Sequence, residues 1–154
     1  MIKIRRYEET DAHELLALFY HTVRNVNIRD YSQAQVEVWA PDNLDIDIWK
    51  RKMRSISPFI AEIEGDIVGY IDLQESGLID HFFCHYKYQS QGIGRSLMEH
   101  VFNIGKSRGI TRFHSEVSIT ARPCYERLGF QVVKEQIVDI RGEKMRNYIM
   151  EKFS

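Results

Sequence analysis

The strongest chemical signal in the chain is the run Gln89-Ser90-Gln91-Gly92-Ile93-Gly94-Arg95-Ser96. Two glycines one residue apart let the backbone pass close to a ligand with no Cβ in the way. Apolar spacing from Ile93 onward predicts a helix. Its first N–H groups have no partner within the helix, and its dipole favours negative charge there. Such a turn suits a phosphate or pyrophosphate. Two familiar phosphate loops are excluded by single residues. The dinucleotide fingerprint requires a third glycine where the chain has Leu97, and Walker A requires a glycine at the position of His100, ahead of Gly105-Lys106-Ser107. Metal chemistry has little support. His81 and His85, four apart on an extended strand, have backbones about 13 Å apart. Cys84 and Cys124 fit neither a zinc pattern nor a disulfide framework.

The elements that must position this turn follow from hydrophobic periodicity. Residues 2–7 alternate as a short strand. Thr10-Asp11, with Glu14, predicts the start of a helix carrying Leu15, Leu18, Phe19 and Val23. Ser32 with Gln35 caps a second helix that Pro41 ends, and Asp45 to Met53 forms another turn or two. Phe59–Ile63 and Ile67–Leu73 read as a hairpin around Glu64-Gly65-Asp66. Leu78–His85 reads as one continuous strand leading into the glycine turn. Helical spacing then runs through Val101 and Phe102 until Gly105 and Gly109 weaken and close it. Strand 111–118 alternates Phe113, Ser115 and Val117 against Arg112, His114 and Glu116. A short helix from about Ala121 stops at Gly129, and two strands, 131–140 and 145–152, complete the chain. This order predicts a mixed-sheet α/β fold in a single domain, 1–154.

Composition sets the outer limits. The 154 residues are 44% apolar and 28% charged, ordinary for a globular protein and too apolar for disorder. The formal net charge of −1, from 21 basic and 22 acidic side chains, argues against a general nucleic-acid binder. No apolar run approaches the roughly 18 residues that a membrane span needs. No partner in the membrane and a cytoplasmic, reducing setting are therefore expected.

Two motifs together resemble the GCN5-related N-acetyltransferases (GNAT). Gln89-x-x-Gly92-x-Gly94 matches that family's pyrophosphate signature, and Ile79–His85 looks like the strand that precedes it. Ala121-x-x-Cys124-Tyr125-x-x-x-Gly129-Phe130 matches a second family motif, in the same order and separation. The N-terminal half, with Tyr31, Trp39 and Trp49, most resembles a bacterial branch. The resemblance covers essentially the whole chain and implies acetyl-CoA as cosubstrate, with no metal. It implies that the strand before the loop splays from its parallel neighbour, and that the pantetheine arm fills the gap. Backbone groups of Phe82 and Cys84 would then bind that arm, and Gln89 heads the pyrophosphate signature. N–H groups of Gln91, Gly92, Gly94, Arg95 and Ser96 would hold the pyrophosphate, with Arg95 able to add a charged contact. An amine attacks the thioester carbonyl directly, and a strand N–H stabilises the oxyanion. Tyr125 matches the general acid that protonates the leaving thiolate. Asp80 lies near the position of the base in some members, with His81, Glu116 and Glu75 as rivals. Strand alternation would turn Asp80 away from His81 and alongside Phe82 and Cys84. Where the family's second motif often begins with Asn, this chain has Ser118.

The acceptor would be a small-molecule or peptide amine, selected by the N-terminal helices and strand turns. Asp42, Asp45 and Asp47 either face a cationic amine or form a solvated acidic loop beside two core tryptophans, and the second reading is favoured. Edge strands could pair in a homodimer. An alternative from another class stays open: an acyl-CoA-binding sensor or interaction module without turnover.

Overall fold

The computed structural model describes all residues from Met1 to Ser154. Seven strands and five helices alternate as β1 (Ile2–Arg6), α1 (Ala12–Asn25), α2 (Gln33–Trp39), α3 (Ile46–Ile56), β2 (Phe59–Ile63), β3 (Asp66–Ile71), β4 (Phe82–Cys84), α4 (Ile93–Ser107), β5 (Arg112–Ser118), α5 (Arg122–Arg127), β6 (Gln131–Ile140) and β7 (Glu143–Phe153). No helix is long and apolar enough to cross a membrane.

Two local signals act as their chemistry predicts. Ser32 accepts the Gln35 N–H at 3.1 Å while the Gln35 side chain accepts the Ser32 N–H at 2.8 Å, which closes the capping box of α2. Asp45 caps α3, accepting the Asp47 N–H at 2.8 Å. The start of α1 differs. Asp11 does not pair with Glu14; it accepts the Glu8 N–H at 2.8 Å, ahead of a 3₁₀ turn over Glu9–Asp11. The reason is tertiary, because both amino groups of the Arg5 guanidinium grip the Asp11 carboxylate at 2.8 Å.

Helix α4 also differs, running through Gly105 to Ser107. Its Ile93, Leu97, Met98 and Val101 side chains are fully buried, each contributing about 1.5–3 kcal/mol. A glycine in a helix costs only about 1 kcal/mol, so packing wins. Gly105 is there for space: a Cβ would lie 2.4 Å from the Phe113 ring.

The strands form two antiparallel groups, β1-β2-β3-β4 and β5-β7-β6. They meet through a single parallel bridge, Leu78 with His114, where Ile79 N–H donates to the His114 carbonyl at 2.9 Å. The strand expected over 78–85 is therefore much shorter. Asp72, fully buried, accepts the N–H groups of both Asp80 and His81 at 2.8 Å. Those two donors point into a side chain instead of along a ladder, and regular pairing resumes only at Phe82. One face of the sheet packs on α4 and α5, and the other on α1, α2 and α3, giving two separate buried clusters.

Candidate active site

Beyond the Leu78–His114 contact, β4 and β5 share no pairing and open into a cleft of about 970 Å³. Asp72 N–H donates to the His81 carbonyl at 3.1 Å, and His85 N–H to the Val68 carbonyl at 2.8 Å. These bonds flank the Tyr70–Phe83 pair. Antiparallel alternation thus makes Tyr70 and Phe83 a bonded pair and turns the backbone of Phe82 and Cys84 toward the cleft. The Cys84 carbonyl is already occupied, accepting from the Thr22 hydroxyl and the Gln89 amide at 3.0 Å each. The Cys84 N–H and both backbone groups of Phe82 remain open to a ligand.

The glycine turn closes one end of this edge. Gly92 has φ +81° and no atom within 4 Å of where a Cβ would sit. The N–H groups of Gln91, Gly92, Ile93, Gly94 and Arg95 have no partner in the protein, whereas Ser96 N–H donates to the Gly92 carbonyl at 3.0 Å. Convergent donors at a helix N-terminus, with an empty space at Gly92, fit an anionic group such as a pyrophosphate. Phe82, Cys84, Gln89, Gly92, Gly94 and Arg95 line the cleft; Gln91 and Ser96 do not. Gln89 acts on the loop itself, its amide tying the turn back to the Cys84 and His85 carbonyls. Arg95 is largely exposed and 3.8 Å from Glu99. Ser118 accepts the Ala121 N–H at 3.0 Å and so leads the chain into α5.

Tyr125 stands on α5 against the same cleft, 3% exposed, its ring edge-on to Phe82 at 5.6 Å. Burial pushes its phenol well above the usual tyrosine range. Its hydroxyl lies 3.2 Å from the Ser115 hydroxyl, which itself donates to the Ile79 carbonyl at 2.7 Å. Beside it are the thiols of Cys84, pushed up to about 12 by burial, and Cys124, also raised by burial.

On the opposite face the cleft has an aromatic wall that includes Phe19, Tyr31, Trp39, His81 and Phe83. Asp80 lines this side, its carboxylate 2.5 Å from the Lys52 ammonium on α3. Its orientation differs from the sequence expectation: Asp80 reaches α3, as does His81, whose ring meets Trp49 at 6.0 Å. Alternation fails because residues 80 and 81 precede β4 and both turn their N–H groups onto Asp72. Burial holds His81 well below its usual range, and its Nδ1 lies 3.1 Å from the Tyr70 hydroxyl. Burial likewise pushes the Asp72 carboxyl up to about 6, against the hydrogen bonds it accepts. Glu116 lines the cleft and Glu75 does not. Asp42, Asp45 and Asp47 stay outside it; Asp42 takes the Tyr20 hydroxyl and Arg24, and Trp49 is a core residue donating to the Ala12 carbonyl at 2.9 Å.

Ser115 and Asp72 were not singled out from sequence. Ser115 had a signal, since it occupies an inward position between Phe113 and Val117 on an alternating strand. Asp72 had none that is local.

A mixed sheet that opens where two parallel segments part, with an unpaired strand edge leading to a glycine turn, defines an acyl-CoA-type N-acyltransferase architecture. Residues 27–151 match the model of the acetyltransferase (GNAT) domain, and the chain belongs to the GNAT family. It is 32% identical over 149 residues to the uncharacterized N-acetyltransferase YafP of Escherichia coli (strain K12), covering 97% of this chain and 94% of that protein. A GCN5-related N-acetyltransferase structure from Rhodopseudomonas palustris superposes with a TM-score of 0.94 at 25% identity, over 99% and 95% of the two chains. The PaiA N-acetyltransferase of Thermoplasma acidophilum, solved with coenzyme A, shares the fold at a TM-score of 0.77 and 19% identity, over 100% and 99%.

Proposed function

We propose that the protein transfers the acetyl group of acetyl-CoA to a primary amine by direct attack within a ternary complex. One observation carries this reading: an open strand edge at Phe82 and Cys84 runs between unpaired N–H groups at the start of α4 and the Tyr125 hydroxyl. Family membership and the coenzyme A bound to the PaiA relative support the same choice of donor. The turn N–H groups of Gly92 and Gly94 take the pyrophosphate. The open groups of Phe82 and the Cys84 N–H take the pantetheine amides, and Arg95 reaches the phosphates from the rim. Gln91 contributes its N–H only, and Ser96 holds the helix start through Gly92.

The acceptor enters along the aromatic wall, opposite Tyr125. Asp80, at the point where the strands part, receives the proton that an ammonium must shed before it can attack. His81 stands further back, its ring packed on Trp49 and its Nδ1 3.1 Å from the Tyr70 hydroxyl. The amine nitrogen bonds to the carbonyl carbon, the carbon–sulfur bond breaks, and Tyr125 gives its proton to the departing sulfur.

The test combines binding and turnover. Acetyl-CoA and CoA at 100 times Kd should each stabilise the protein by about 2.7 kcal/mol, raising the midpoint by roughly 5–11 °C for a chain of this size, while NAD and ATP do not. CoA release above the uncatalysed rate should follow with at least one of spermidine, tyramine, lysine or a dipeptide. A shift without release from any amine means the binding module instead. No shift with CoA compounds means that the glycine turn binds nothing of this kind.

A further inference from the structure

The Tyr125 hydroxyl does not wait idle beside the cleft; it stands at one end of a buried chain of donors. Ser115 has a single hydrogen, and its 2.7 Å contact with the Ile79 carbonyl takes it. Ser115 Oγ can therefore meet Tyr125 only as acceptor, so the phenol donates to it across 3.2 Å. The peptide that carries the Ile79 carbonyl carries the Asp80 N–H on its other side, and that N–H donates to the Asp72 carboxylate at 2.8 Å. Every donor in the chain points the same way, from Tyr125 through Ser115 and the 79–80 peptide to Asp72, and such bonds polarise one another. Ser115 is 4% exposed and Asp72 fully buried, so water does not compete for these bonds.

This arrangement sets a requirement on the proton transfer proposed above. While the phenol donates to Ser115, its proton is engaged there and not directed at the sulfur. To protonate the departing sulfur it must turn, and the phenolate left behind is a buried anion. Of the hydroxyl groups, only that of Ser115 lies within reach of that oxygen. A rotation about its Cβ–Oγ bond moves its hydrogen from the Ile79 carbonyl to the phenolate.

We infer that Ser115 is a positioning residue for the acid: it accepts the hydrogen bond of the Tyr125 phenol at rest and donates to the phenolate once that proton has gone to sulfur. The balance is complete. The carbon–sulfur bond breaks with its electron pair on sulfur, the phenol O–H breaks, and an S–H forms. Ser115 exchanges one hydrogen-bond acceptor for another and is not itself ionised. Asp80 passes to solvent the proton it took from the ammonium, the nitrogen sheds its second proton to solvent as the amide forms, and the phenolate regains one proton from solvent. The inference rests on Tyr125 being the acid.

The test is a double-mutant cycle on kcat, read as CoA release with the most active amine of the panel after the uncatalysed release is subtracted. Ser115→Ala should lower kcat by 10- to 100-fold and leave the KM for acetyl-CoA within twofold. In the Tyr125→Phe background the same substitution should lower kcat no further, because the hydroxyl has then lost the group it serves. Ser115→Thr and Ser115→Val, equal in shape, keep the result readable if alanine fails to fold: Thr should restore most of the rate and Val should not. Two losses that multiply, or Val matching Thr, would overturn the role given to Ser115. Full activity of Tyr125→Phe alone would overturn the acid itself, and Ser115 with it.

Discussion

Replacing Gly92 with valine separates the fold from the ligand more cleanly than any other change at this site. Gly92 lies at φ +81°, and nothing stands within 4 Å of where its Cβ would be. The protein therefore meets no clash, only the backbone cost of a left-handed L-residue, roughly 1–2 kcal/mol. For a chain of this length that lowers the thermal midpoint by about 2–8 °C. Gly109 supplies the control, with φ +74° and equally empty space just past the end of α4. Gly109→Val should carry a similar stability cost. Only at position 92 would the new side chain occupy the space over the unpaired N–H groups, or swing them out of line. A hydrogen bond to a charged group contributes about 1.5–3 kcal/mol, so losing two weakens binding by roughly 3–6 kcal/mol, or 10²–10⁴-fold in Kd. Titration calorimetry with acetyl-CoA reads this directly, and acetyl-pantetheine, which lacks the pyrophosphate, should bind both variants as it binds the parent. The phosphate-turn argument is refuted if Gly92→Val binds acetyl-CoA within threefold of the parent, or if acetyl-pantetheine is weakened as much.

Two further outcomes follow from burial. The Asp72 carboxyl is pushed up to about 6, so the folded state prefers it protonated; its contribution is greatest below about pH 4 and is lost as pH rises through 6, a swing of roughly 3 kcal/mol. Asp72→Asn should remove that slope, so urea midpoints at pH 5 and pH 8 should favour the variant more at pH 8; an unchanged slope would show that this carboxylate is not strained by burial. Gly105→Ala gains helix propensity of about 1 kcal/mol, but its Cβ would lie 2.4 Å from the Phe113 ring, and overpacking costs about 1–3 kcal/mol. A net fall of several degrees in midpoint is expected, and a rise would refute the packing account.

What was legible in the sequence is what local chemistry decides. Gly92 and Gly94 announce a close backbone approach, Ser32 and Gln35 announce a helix start, and Gly65 announces a hairpin, because each needs only its neighbours. The misread positions all answer to residues outside their own element. Asp11 leaves its expected cap because Arg5 holds it. Gly105 is a glycine because Phe113 needs the space, and the packing of α4 keeps it helical. The strand drawn over 78–85 loses its first half to Asp72, whose carboxylate leaves no trace in the periodicity of residues 78–81. Ser115 shows the intermediate case. Its inward position could be read from alternation, but the hydroxyl it meets arrives on α5, ten residues later.

The same side chain that defeated the strand reading makes the site. A continuous ladder from Leu78 to His85 would pair with β5 along its length and leave no cleft. Consecutive N–H groups of a regular strand point to opposite neighbours, but Asp80 and His81 both turn theirs onto Asp72, so the alternation slips there and the contact between the two halves of the sheet is confined to Leu78 and Ile79. Past that point the strands part, and the backbone of Phe82 faces open space. A carboxylate with no exposure is an expensive way to satisfy two amides, as its raised pKa attests. The slip that its two bonds fix is what lets the Ile79 N–H face β5 while the Phe82 N–H, three residues on, faces the same side across the cleft.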